Sequence, residues 1–109
     1  MPHFIIHCSA NVLEKTTKKD LMQKVFSTAE DTKLFSKGDI KVRIQAFEEF
    51  IAGDGNDDFI HVFGNIMEGR SDGQKQEISS RIVTMLNELL PELPIISMNI
   101  RVFDKASYC

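Results

Sequence analysis

Apolar and polar positions alternate in two different rhythms along the chain, and each rhythm occurs twice. The segment FIIHCS (4–9) is a short apolar run rich in β-branched residues, and DIKVRIQAF (39–47) alternates polar or charged side chains with apolar ones. Both patterns predict strands. Between them Leu21, Met22, Val25, Phe26 and Ala29 recur at helical spacing, and Thr17 stands three residues ahead of Asp20. That capping pattern predicts a helix from 17 to about 31. The order then repeats: DFIHVFGNIM (58–67) predicts a strand, Ser71 and Gln74 a second capped start, and Ile78, Ile82, Met85, Leu86, Leu89 and Leu90 one apolar helical stripe. Pro91 and Pro94 end that helix, and IISMNIRVF (95–103) predicts the fourth strand.

The letters repeat as well as the rhythm. FIIH at 4–7 returns as FIHV at 59–62, and RIQAF at 43–47 as NIRVF at 99–103, an offset near 55 residues. A duplicated βαβ unit is the expected organisation. It implies one α+β domain over 1–109 with internal halves of about 1–55 and 56–109, a four-stranded sheet and both helices on one face. The opposite face would stay open. Ile5, Ile44, Ile60 and Ile100 are the residues expected to make it partly apolar, so that other copies of the chain could cover it. The connection AGDGNDD (52–58) is acidic and glycine-rich but lacks the alternating ligands and the closing glutamate of a calcium loop, which leaves a polar linker.

Composition narrows the function classes. A chain of 109 residues can bury one modest core, which leaves association with copies of itself as a natural way to bury more. A formal charge of −3 argues against a binder of nucleic-acid phosphates. No apolar stretch is long enough for a membrane span and the start lacks the pattern of a secretory signal, so a cytosolic protein is expected. Cys8 and Cys109 form neither a disulfide framework nor a metal quartet, and free thiols are expected.

Candidate chemistry begins at Pro2. Proline suits the first residue of a strand, where its missing N–H costs nothing. An initiator methionine followed by proline is also normally trimmed, which would leave Pro2 with a free secondary amine able to act as a base. Phe4 and Ile6 alternate with Pro2 on one strand face and could wall that amine in.

Taken together, PHFIIHCSAN at the start, IKVRIQAF in the middle and FIHVFGNIMEGRS before the second helix resemble the 5-carboxymethyl-2-hydroxymuconate isomerases of the tautomerase superfamily. The resemblance covers nearly the whole chain. It implies a homotrimer of duplicated βαβ chains, with the amino-terminal proline as catalytic base and no metal or cofactor. The implied reaction converts a dienol carrying three carboxylates to its unsaturated keto isomer in homoprotocatechuate breakdown. Such a substrate demands cations. Arg70, just before the second helix, is the main candidate, with Lys41 and Arg43 sharing a strand face as a second group. In relatives the first cation of the middle strand is arginine, and Lys41 cannot make the same forked carboxylate contact. His3 and His7 read as packed or interface histidines, and the five methionines as core filler. The alternative reading is an oligomeric module that binds a small acid or a protein without turnover.

Overall fold

The computed structural model describes residues 1–53 and 55–109; Asp54, within the expected polar linker, lies outside the described residues. Four strands, β1 (His3–Ser9), β2 (Lys41–Phe47), β3 (Phe59–Met67) and β4 (Ile95–Phe103), and two helices, α1 (Lys18–Asp31) and α2 (Asp72–Leu89), follow in the order β1-α1-β2-β3-α2-β4. The sheet order is β2-β1-β3-β4. β1 runs parallel to β2, and β3 runs parallel to β4. The two βαβ pairs meet along an antiparallel β1–β3 seam that sets His7 opposite His61 and His3 opposite Asn65. No described helix is long and apolar enough to cross a membrane.

Both helices start where their caps require. Thr17 accepts a hydrogen bond from the Asp20 N–H at 3.0 Å. At α2 the exchange is reciprocal: Ser71 Oγ accepts from the Gln74 N–H at 3.1 Å, and Gln74 Oε1 accepts from the Ser71 N–H at 2.9 Å. α1 ends through Lys33, whose φ of 63° places it in the left-handed region. Arg81 of α2 donates to the Asp31 carbonyl at 3.1 Å and satisfies one of the unpaired acceptors at the end of α1.

The core lies between the helices and one face of the sheet. Leu21, Val25 and Ala29 of α1 and Ile78, Ile82 and Leu86 of α2 are fully buried against Phe4, Ile6, Cys8, Ile60 and Val62. Each large aliphatic side chain buried there contributes roughly 1.5 to 3 kcal/mol. Gly64, opposite Phe4 across the seam, leaves room for the side chains of β4: a Cβ at this position would meet Ile100 Cδ1 at 2.7 Å and Met98 Cε at 2.8 Å.

The open face differs from the expected one. Ile60 is fully buried, and Ile44 and Ile100 pack against the same core; of the four isoleucines only Ile5 faces outward. The helices take Phe4, Ile6 and Cys8 from β1, and the cross-strand register carries that phase through the sheet. The open side therefore holds His3, Ile5 and His7 beside Arg43, Phe63, His61, Asn65 and Arg101. The FIIH and FIHV segments are likewise out of phase, since Phe4 is buried whereas Phe59 lies on the opposite face, opposite Ile95.

Candidate active site

Pro2 is buried at the amino end of β1, on the same side as Phe4 and Ile6, and its carbonyl accepts from the Lys41 N–H at 3.1 Å. Met1, 40 % exposed, precedes it, so the Pro2 nitrogen here is an amide. Cleavage of the Met1–Pro2 bond converts it to a secondary amine. Two residues on along the same face, the Phe4 ring meets Phe35 edge to face with centroids 6.1 Å apart.

Strand polarity gathers the cations. The amino ends of β1 and β2 lie beside the carboxyl ends of β3 and β4, which puts Lys41, His3, Asn65 and Arg101 in one row across the sheet. Arg43 lies on the same face as Lys41, as alternation requires, and its guanidinium donates to His3 Nδ1 at 3.3 Å. Lys41 donates to the Asp39 carbonyl at 3.2 Å. Arg70 approaches from the other side of the sheet, donating to the Leu34 carbonyl with its guanidinium 5.4 Å from the centroid of the Phe35 ring. Gly69, with φ of 113°, makes the turn that delivers Arg70 there. The three candidate cations thus lie on two sides of the sheet and do not form one cluster. The start of α2 offers less than its position suggests. Its capping box uses two of the helix-start N–H groups internally, and Asp72, paired to Lys75 at 3.2 Å, puts a carboxylate in the first turn.

Two further residues at this end escaped the sequence reading. Arg101 sits with its guanidinium 4.5 Å from the Phe63 ring centroid and donates through Nε to Asn65 Oδ1 at 2.8 Å. Tyr108 stacks on Phe103 and bonds His3 Nε2 at 2.9 Å. Alternation in IISMNIRVF does put Arg101 on the face away from Ile100, a usable signal; nothing in the spacing links the tail at Tyr108 to His3. Among the described residues, ion pairs join Lys75 to Asp72 and Arg81 to Glu77, and none involves Lys41, Arg43, Arg70 or Arg101.

The histidines respond to this field. Burial, then Arg43, Lys41 and the amino terminus, hold the His3 imidazole below its ordinary pKa. His7, edge-on to Phe47 and Phe63, is lowered by burial, then by His61 and Arg101. Burial pushes the Cys8 thiol up, with nearby Lys18 opposing it, which leaves Cys8 a poor nucleophile inside the core.

Two helices layered on one face of a mixed four-stranded sheet, with its parallel pairs joined by a central antiparallel seam, define a tautomerase-like α+β protein. The model of one family, 5-carboxymethyl-2-hydroxymuconate isomerase, matches residues 2–108, and the chain belongs to that family of isomerases. It is similar to the 5-carboxymethyl-2-hydroxymuconate Delta-isomerase of Escherichia coli, with 30% identity over 88 residues, 79% of this chain and 70% of the relative. The fold matches that of a 5-carboxymethyl-2-hydroxymuconate isomerase from Deinococcus radiodurans R1 with a TM-score of 0.85 at 23% identity, covering 99% of this chain and 87% of that one. It also matches a fused 4-OT described as a symmetric trimer, with a TM-score of 0.79 at 11% identity, covering 97% and 89% of the two chains.

Proposed function

We propose that this isomerase acts on a polycarboxylate dienol of the 5-carboxymethyl-2-hydroxymuconate type, with the free amine of Pro2 as its base and no cofactor. The observation that carries the reading is the buried Pro2 at the end of the sheet where Lys41, Arg43 and Arg101 lie on one side and Arg70 on the other, none with a carboxylate partner among the described residues. In a chain of net charge −3, cations left unpaired at one end favour an anionic ligand there.

The amine takes the proton of the enol hydroxyl. The electron pair of that O–H bond forms the ketone, the conjugated double bonds shift, and the protonated amine returns the proton to carbon at the far end of the conjugated system. Proton and electrons balance within the substrate. Arg70 and the pair Lys41 and Arg43 hold carboxylates during the transfer, and the apolar wall of Phe4 and Ile6 disfavours a charged amine. The substrate belongs to homoprotocatechuate breakdown in the cytosol. The aromatic open face supports assembly with further copies, and a trimer is the proposed state, in keeping with the trimeric relative of the same fold.

The test is an ultraviolet assay with the dienol on protein of verified amino-terminal mass. Protein beginning at Pro2 is expected to turn over, with kcat/KM rising with pH through a midpoint below the roughly 7.7 to 8.0 of an ordinary α-amine. Arg70→Ala is expected to lower kcat/KM roughly 30-fold or more. Full activity in protein that retains Met1 would overturn the role of Pro2.

A further inference from the structure

On the open face, at the Pro2 end, lies a groove of about 310 Å³ lined by His3, Arg43, Asn65, Arg101, Phe103 and Tyr108 among others. Its hydrogen-bonding groups fix one another's direction. Arginine has donors and no acceptor, so His3 Nδ1, 3.3 Å from Arg43, must be the unprotonated nitrogen. The ring hydrogen is therefore on Nε2 and is donated to the Tyr108 oxygen at 2.9 Å. The Tyr108 O–H is then left to donate elsewhere, with its ring held by stacking on Phe103 at 4.6 Å between centroids. Arg101 spends Nε on Asn65 Oδ1, which leaves its terminal nitrogens and the Asn65 amide N–H groups available. Among the described residues, no carboxylate side chain lines the groove.

The geometry points to a carboxylate-binding subsite in this groove, in which Arg43, Arg101 and the Tyr108 hydroxyl hold one carboxylate of the substrate and His3 positions the hydroxyl. The subsite rests on the reading that the substrate is a polycarboxylate. It supplies a place for a carboxylate separate from that at Arg70, which lies on the other side of the sheet. A planar guanidinium with free terminal nitrogens is suited to a two-point carboxylate contact, and the phenol adds a third donor.

Two measurements on the full chain test it. Nitrogen-15 NMR of the His3 ring is expected to show the hydrogen on Nε2; a hydrogen on Nδ1 would overturn the role given to His3. Titration with propane-1,2,3-tricarboxylate, followed through the Tyr108 and Arg101 signals or by calorimetry, is expected to weaken roughly tenfold or more in Arg101→Ala, and several-fold in Tyr108→Phe. Tyr108→Phe removes one polar atom and keeps the ring, so it stays informative if Arg101→Ala disturbs the fold. Binding within twofold of wild type in both variants would overturn the subsite. Arg101→Ala is also expected to raise KM for the dienol more than it lowers kcat. If only the role of Pro2 fails, Met1-retaining protein will turn over while tricarboxylate binding still depends on Arg101. If only the subsite fails, turnover will still require the amine while binding ignores Arg101.

Discussion

The two faces of this sheet are made from the same four strands and obey different rules. On the helix side, Phe4, Ile6, Ile60, Val62 and Ile66 are essentially inaccessible to water, and Cys8 is sealed in with them. On the other side the neighbouring positions hold rings, imidazoles and guanidiniums in specific pairs: His61 Nδ1 with Ser97 Oγ at 2.7 Å, His61 Nε2 with Asn99 Oδ1 at 2.6 Å, and Arg101 over Phe63. One face gains stability from area and packing, which tolerate rearrangement of similar volumes. The other is organised by direction, since each donor must find its acceptor. A one-residue shift of register would exchange these two sets, so the difference between the faces also specifies the pairing.

The largest effect that breaks the contrast is expected from Ile82→Ala, which removes fully buried volume from α2 against the core. It should cost about 2 to 5 kcal/mol, seen as a large fall in Tm. Gly64→Val comes next, because even a Cβ would approach Ile100 and Met98 to under 3.0 Å; a loss of about 1 to 3 kcal/mol is expected in urea unfolding. An unchanged midpoint would show that those flexible ends simply move aside.

The open face should reveal itself through pH. His3 and His7 are held below their ordinary pKa in the folded chain, so the unfolded chain binds more protons as pH falls through about 6.5. Stability is thus present above that value and lost as pH falls toward the lowered folded values. Urea midpoints measured from pH 7.5 down to 5 should fall, and should fall less in His7→Phe, which keeps a ring between Phe47 and Phe63. Equal slopes would remove His7 from the account. The smallest effect belongs to neither face. Lys33→Gly relieves a left-handed backbone at the end of α1 but loosens the unfolded chain, and the net change should stay within about 1 kcal/mol.

Elements were legible in the sequence because caps and periodicity are local. Thr17 and Ser71 mark the helix starts, and the apolar stripes of both helices are the ones buried. The choice of inward face was less legible. β1 is apolar at Phe4, Ile5 and Ile6 alike, and only packing against the helices decides which of these turns inward. The same ambiguity misplaced Ile44, Ile60 and Ile100 on the open side. At the candidate site, Pro2, Lys41, Arg43 and Arg70 could be singled out by motif and alternation. The His3–Tyr108 bond joins residues 105 positions apart, and it arises only because β1 begins where β4 ends.

The antiparallel seam between β1 and β3 also governs how the chain must fold. Each βαβ segment can form its parallel pair through contacts within its own half, yet Phe4, Ile6, Ile60 and Val62 complete one common core only when β1 and β3 meet. Joining those strands closes a loop of roughly fifty residues, an entropic cost incurred before most of the burial is recovered. The seam is therefore the expected bottleneck of the folding reaction. A half released alone would present an unpaired strand edge beside a bare apolar face, which favours aggregation over independent folding.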